Sequence, residues 1–237
     1  LVGVGDPNYV SEEPLRRRIE AGKVETIAKG MAKDIERIAL LRPEVLLQDL
    51  MGEQDQDKEL RGAGIHVLQD NEWKERTLLG RAEWLKFTAL FTNTESTANQ
   101  VFTQIETDYT AVKEKAQQAS DRPSVIAGAP FNGQWYRAGG RSYLAAFLAD
   151  AGMKYVFADD ESSGSDPAQI ETMLEAGAQA DIWVNADMTK KWQTISAIGA
   201  EDPNLATIKG AKDGRVYNPT KRINAGGGND YWQLGVV

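Results

Sequence analysis

The chain contains no cysteine, and among its 237 residues only one histidine, His66. Without thiols there is no disulfide framework, no thiolate nucleophile and no Cys-ligated zinc or iron–sulfur site. A first-row transition-metal site usually wants imidazole or thiolate ligands, so a dedicated zinc or manganese site is not expected. A Ser-His-Asp triad would have to use His66, yet no Gly-x-Ser-x-Gly elbow is present. His66 falls in a predicted strand and reads as a structural or surface residue. No apolar run approaches the ~20 residues of a membrane span. Positive charge is also in deficit. The net charge of −8 argues against general affinity for nucleic acid or an anionic membrane. Leu1-Val2-Gly3-Val4 opens directly as a strand, and Leu234-Gly235-Val236-Val237 stops in mid-element. Both ends therefore read as cut, with room for a targeting segment before Leu1.

What is present is a long helix with βα sequence on either side. Ala98, Phe102, Ile105, Tyr109, Val112 and Ala116 recur at steps of four and three, one face of an α-helix running from Thr94 to about Ala119. Asn93 and Thr94 are N-cap candidates, and Asp121-Arg122-Pro123 ends the run. At 1.5 Å per residue it would be roughly 38 Å long. Before it, strands are expected at Leu1–Val4, Val45–Leu47 and Ile65–Leu68, alternating with helices at Glu13–Ala21, Ala32–Leu41 and Leu78–Phe91. After it, strands are expected at Ser124–Gly128, Tyr155–Phe157, Ile182–Val184 and Arg215–Tyr217, with a helix beginning at Pro167. Such alternation predicts an α/β fold with parallel, helix-covered sheets. The expected organisation is an N-terminal α/β lobe over 1–92, a connecting helix over 93–120, and a C-terminal α/β lobe over 121–237.

Glycine signatures are weak. Gly3-x-Gly5 lacks the third glycine of a dinucleotide loop, and no Gly-Lys-Ser/Thr follows a strand. Gly139-Gly140-Arg141-Ser142 does open a helix, so its N–H groups either hold an anion beside Arg141 or simply make a tight turn. The aromatic residues say more. Trp73, Trp135, Tyr136 and Trp192 all follow predicted strands, and Arg137, Arg141 and Arg222 lie in loops of the same kind. In open α/β sheets, ligands bind beyond the carboxyl ends of the strands. These aromatics would stack on a flat ligand and these arginines would meet its anionic groups. For each tryptophan the alternative is a plug in its own core.

The order of these segments resembles the substrate-binding proteins of ABC importers, in the helical-backbone class that carries cobalamin, haem and ferric siderophores. Ile35-Glu36-Arg37-Ile38-Ala39-Leu40-Leu41-Arg42-Pro43-Glu44-Val45-Leu46-Leu47 resembles that family's helix-to-strand passage. Leu79-Gly80-Arg81-Ala82-Glu83-Trp84 resembles the segment that precedes its long helix. Trp135-Tyr136-x-x-Gly139-Gly140-x-Ser142-Tyr143 resembles the opening of its second lobe, and Ala180-Asp181-Ile182-Trp183-Val184-Asn185 and Asn229-Asp230-Tyr231-Trp232 follow in order. The resemblance implies two doubly wound α/β lobes joined by one long rigid helix, with a ligand cleft between them. It implies a periplasmic or lipid-anchored receptor, monomeric, with no covalent chemistry and no cofactor, handing its cargo to membrane permease subunits. Carried over by position, the permease-docking glutamates would be Glu53 and Glu171. Family members carry a further strand and helix before the segment matching Leu1 and further helices after Val237, so each lobe is expected to be incomplete. The rival readings are a two-lobed α/β transferase or lyase, and a sensor that binds a protein partner.

Overall fold

The computed structural model describes residues 1–30, 32–48, 54–185 and 192–218. They fall into two compact units.

The first unit runs from Leu1 to Lys74. Strand β1 (Gly3–Val4) pairs in parallel with β2 (Glu25–Thr26), and helix α1 (Glu13–Glu20) connects them. An antiparallel hairpin of β3 (Ala28–Lys29) and β4 (Ala32–Lys33) follows. Helix α2 (Ile35–Leu41) leads to β5 (Val45–Gln48), and α3 (Gln54–Gly62) leads to β6 (His66–Gln69). β5 and β6 pair in parallel from Val45↔His66 to Gln48↔Gln69. Ile38, Leu46, Leu60, Ile65 and Val67 close the core between these strands and helices. α2 starts three residues later than its apolar period suggested. Ala32 and Lys33 are taken by the hairpin, and Asp34 caps the helix by accepting from the Arg37 N–H at 2.9 Å. Arg42 ends it at a φ of 46°, just before Pro43.

The second unit begins at Glu75. Helices α4 (Leu78–Ala89) and α5 (Glu95–Gln117) pack on each other, and both touch α6 (Tyr143–Asp150). The chain thus divides after Lys74, whereas the sequence suggested a boundary at residue 92. The helix pair packs on itself and is tied to α6 by Tyr109 and Lys113 on Asp150 and by Arg81 over the Tyr143 ring, which places it in the second unit. α5 is the long helix expected, but its inner face is offset at one turn. Lys113, not Val112, continues the row from Ala98, Phe102, Ile105 and Tyr109. Val112 is 67% exposed. The Lys113 ammonium sits 2.9 Å from Asp150 Oδ1, and the Tyr109 hydroxyl donates to Asp150 Oδ2 at 2.8 Å. A carboxylate at the end of α6 therefore takes two donors from one face of α5.

Two sheets follow. β7 (Ser124–Ala127), β10 (Lys154–Tyr155), β12 (Ile182–Val184) and β13 (Val216–Tyr217) form a parallel sheet in the order β10-β7-β12-β13. β8 (Pro130–Phe131), β9 (Gln134–Ala138) and β11 (Ser165–Ala168) form an antiparallel sheet in the order β11-β9-β8. Helices α7 (Ile170–Gly177), α8 (Ile195–Glu201) and α9 (Lys209–Lys212) complete the unit. Pro167, expected to start a helix, instead lies in β11 opposite Tyr136. β11 is an edge strand, where a residue without an N–H is tolerated. The helix starts three residues later, at Ile170.

Asp181, at the entry to β12, clasps this sheet to its neighbours. Its Oδ2 accepts from the Ser124 N–H at 2.9 Å and the Ser124 hydroxyl at 2.8 Å, and its Oδ1 lies 3.0 Å from Lys209 Nζ. The Ser124 hydrogen bonds, followed by the one from Lys209, hold the Asp181 carboxyl well below the usual carboxylate range. A depressed folded-state pKa means stability that is fully present above the unfolded value of about 4 and lost as pH falls through the folded value. Asp181→Asn should therefore destabilise the protein at neutral pH and flatten the acid limb of its stability curve. Urea melts from pH 7 down to pH 2 check both.

Candidate functional site

The polar loops at the carboxyl ends of the parallel strands are the places where an α/β sheet presents groups to a ligand. In the second unit the loop after β7 becomes the β8–β9 hairpin. Phe131 pairs with Gln134, so the turn consists of Asn132 and Gly133 alone. Both have positive φ, 51° and 78°, which is the type I′ geometry that Asn-Gly favours. The segment from Ala129 to Arg141, which the sequence suggests is a polar aromatic loop, contains this hairpin. Its Asn-Gly flanked by extended residues was the signal that makes it a hairpin.

Strand alternation then separates the two neighbouring aromatics. Trp135 faces inward with no exposure, and Tyr136 faces outward at 49%. The Trp135 indole N–H donates to the Ala127 carbonyl at 3.1 Å, and its ring lies 5.6 Å from that of Trp183. Trp192, also buried, packs edge-on against Trp183 at 5.3 Å and donates to Glu201 Oε2 at 2.6 Å. The expectation that Trp135 and Trp192 stack on a ligand is thus corrected: both faces of each ring are covered by the core. Tyr136 and Phe131, 43% exposed, form the outward aromatic face of the hairpin. Phe131 was not singled out from the sequence.

Arg137 and Arg141 both turn to the loop that follows β10. Arg137 pairs with Asp160 and lies over the Phe157 ring, 5.1 Å from its centre. Arg141 pairs with Glu161 at 3.0 Å on the surface. The Gly139-Gly140 turn does not offer its N–H groups to an external anion. Gly139 N–H donates to the Gly164 carbonyl and Arg141 N–H to the Ser162 carbonyl, each at 2.9 Å. The anion held here is the chain's own Asp160. It accepts from the Ser162 hydroxyl at 2.6 Å and the Ser162 N–H at 2.9 Å, with Gly140 and Arg137 beside it. The Ser162 hydrogen bonds, ahead of the Arg137 charge, hold its carboxyl below the usual range. Next to it, burial pushes the Tyr155 hydroxyl up to about 12, and that hydroxyl donates to the Ala138 carbonyl at 2.7 Å.

In the first unit Trp73 sits in a 3-10 turn, Glu72–Lys74, after β6. It is 42% exposed, with Lys74 Nζ 5.2 Å from its ring centre. Tyr9, 60% exposed in the turn after β1, joins the same class of loop and was not anticipated. Asp6 organises this end. Its carboxylate accepts from the Gly30 N–H at 2.8 Å and the Asn8 N–H at 2.9 Å, tying the tip of the β3–β4 hairpin to the β1 exit. These bonds, Gly30 first, lower its pKa. Glu171 is exposed in the first turn of α7. Glu53 and Arg222 lie outside the described residues. Among the described residues no helix is long and apolar enough to cross a membrane.

An α/β architecture with exposed aromatic and charged loops at the carboxyl ends of its strands defines a ligand-binding scaffold. The chain belongs to the periplasmic binding protein family, whose profile matches residues 2–222, and that is a family of solute-binding proteins rather than enzymes. Two uncharacterized lipoproteins of Methanocaldococcus jannaschii are similar to it. One is 28% identical over 229 residues, covering 94% of this chain and 51% of its own length. The other is 29% identical over 233 residues, covering 90% of this chain and 56% of its own. The chain spans about half the length of these curated relatives. Among solved structures, a periplasmic haem-binding protein of Vibrio cholerae superposes with a TM-score of 0.74 at 18% identity, over 100% of this chain and 88% of that one. An ABC transporter substrate-binding protein of Listeria monocytogenes gives 0.73 at 17% identity, over 100% and 88%. A triscatecholate siderophore-binding protein of Bacillus subtilis, in complex with ferri-bacillibactin, gives 0.69 at 18%, over 99% and 81%. At such identities these likenesses establish the fold alone.

Proposed function

We propose that the protein is an extracytoplasmic receptor, monomeric and tethered by lipid, that binds a large iron complex or corrinoid and delivers it to the permease subunits of an ABC importer. The observation that carries this reading is the family match along residues 2–222. The haem- and siderophore-binding neighbours support the class of cargo, and the lipoprotein relatives support the location. Trp73 and Tyr136 stack on the cargo, joined by Phe131. Arg137, Arg141 and Arg222 meet its anionic groups. Arg137 and Arg141 reach it only by sharing or leaving Asp160 and Glu161, so the cargo competes with two built-in carboxylates.

The test is native mass spectrometry with an absorbance spectrum, followed by titration with haemin, cobalamin and ferric siderophores. One of these binds at micromolar affinity or tighter and is recovered unchanged. Turnover of the bound compound, or no binding across the panel, overturns the reading.

Glu171 and Glu53 are the proposed permease-docking acids. Reversing both, Glu53→Arg with Glu171→Arg, should abolish uptake in cells while the purified receptor binds cargo as before. Glu171 makes no ion pair among the described residues, so its reversal should leave folding intact. Cargo binding lost in the double variant would contradict the docking assignment.

A further inference from the structure

Asn132-Gly133, the tip of the β8–β9 hairpin, is the one Asn-Gly pair in the sequence. Both residues are exposed. Among the described residues neither the Asn132 carboxamide nor the Gly133 N–H makes a hydrogen bond. Beyond its two chain neighbours, no atom comes within 4 Å of the position a Gly133 Cβ would take. An electrophilic carboxamide carbon and an unblocked backbone nitrogen therefore stand next to each other in the open. Together with Asn132 Cα, Cβ and the carbonyl carbon they span a five-membered ring.

Whether the ring can close is decided by the backbone. Closure needs the Gly133 nitrogen to eclipse Asn132 Cβ about the Cα–C bond, and for an L-residue that is the ψ of about −120° found at the first turn position of type II′. A type I′ turn instead holds this ψ at about +30°. Both types require a positive φ at that position, and Asn132 already has one, 51°. Only the plane of the Asn132–Gly133 peptide has to turn over. Gly133 then passes from its φ of 78° to a negative φ, which glycine alone does at no steric cost. Phe131 and Gln134 keep their pairing throughout, because types I′ and II′ both close a two-residue hairpin. What opposes the turn-over is the strain of an asparagine in a region that glycine normally fills.

We propose that Asn132 is a site of spontaneous deamidation in the folded protein, reached through the type II′ form of the hairpin tip. The Gly133 nitrogen gives its proton to water and attacks Asn132 Cγ. The bond from Cγ to the side-chain nitrogen breaks, and ammonia leaves with a proton returned from water. Water then adds to either carbonyl of the cyclic imide, giving aspartate or isoaspartate. Either product places a carboxylate between the exposed rings of Phe131 and Tyr136. Isoaspartate also lengthens the two-residue turn by one backbone carbon, so the Phe131–Gln134 pair no longer closes as before. The inference stands independently of the receptor reading.

The full chain is held in mildly alkaline buffer, once native and once unfolded in urea. Residue 132 is followed by peptide mass mapping, and isoaspartate by labelling with a protein isoaspartyl methyltransferase. In the native chain Asn132 should convert faster than every other asparagine. Its rate should be at most roughly 150-fold below that of the unfolded chain, the strain of one residue in a sparsely populated backbone region. Sub-denaturing urea should leave the native rate unchanged, because the turn-over leaves the strands paired. A native rate that climbs with sub-denaturing urea means that the reaction waits for unfolding and overturns the proposal. So does a retardation beyond that range, or another asparagine that converts as fast.

Discussion

Trp183→Ala should lower the thermal midpoint of the second unit by on the order of 10 °C. Trp183 is fully buried at the centre of β12, between β7 and β13. Its ring is shared by Trp135 at 5.6 Å and Trp192 at 5.3 Å. Its indole N–H donates to the Gly128 carbonyl at 2.7 Å, at the point where β7 turns into the aromatic hairpin. Truncation leaves a large cavity and an unpaired carbonyl. Removing a buried tryptophan side chain costs about 3–5 kcal/mol, and each kcal/mol is worth roughly 2–4 °C in a protein of this size. The neighbouring rings cannot collapse into the space, because Trp135 is pinned by Ala127 and Trp192 by Glu201. Differential scanning calorimetry reads the shift. A fall of only a degree or two would mean that the three indoles do not act as one packed cluster.

Gly140→Ala should detach the loop that follows β10 and destabilise the second unit by about 1–3 kcal/mol. A Cβ at residue 140 would sit 2.4 Å from the carbonyl oxygens of both Ala158 and Asp160, and 2.7 Å from that of Phe157. All three are backbone atoms, so no side-chain rotation relieves the overlap. The neighbouring Gly139 is equally confined, with the Ser162 carbonyl oxygen 2.2 Å from its Cβ position. Shifting the loop moves Asp160 away from Arg137 and Ser162. The expected result is a lowered thermal midpoint together with faster amide exchange across 157–164. Cargo affinity should change as well, because Arg137 loses the carboxylate that positions it. Native stability with native exchange in this loop would show that the backbone absorbs the methyl group.

The α/β grammar was legible along the chain because it is local. Ile38 and Leu46, or Val125 and Ile126, announce helix face and buried strand by spacing alone, and Ser142 is visible as a cap, whereas Asp34 reads as helix interior. The long helix was legible too, although one inner position was assigned to Val112. Periodicity ranks residues by polarity, and Lys113 is turned inward only because Asp150, distant in sequence, supplies its partner. The aromatic residues show the limit more sharply. Trp135 and Tyr136 are adjacent and equally plausible as ligand-stacking groups. Which of them faces out depends on the pairing of β9 with β8 and β11, a register set by partners as distant in sequence as Ala168 is from Trp135.

The sequence by itself determined the fold class and the family, since both rest on the order of locally encoded strands, helices and turns. It also excluded thiol chemistry, because no arrangement in space can supply a residue that the chain lacks. Tertiary structure alone decided which charges are free to act. Arg137 and Arg141 read as unpaired cations until the loop after β10 brings Asp160 and Glu161 to them as partners that a cargo must compete with. Lys33 reads as one surface lysine among many until α3 and β5 bury it beside Asp57 and Gln48. The physical reason is the same in each case. A charge's availability is set by its burial and its partners, and both belong to segments that meet only when the chain has folded.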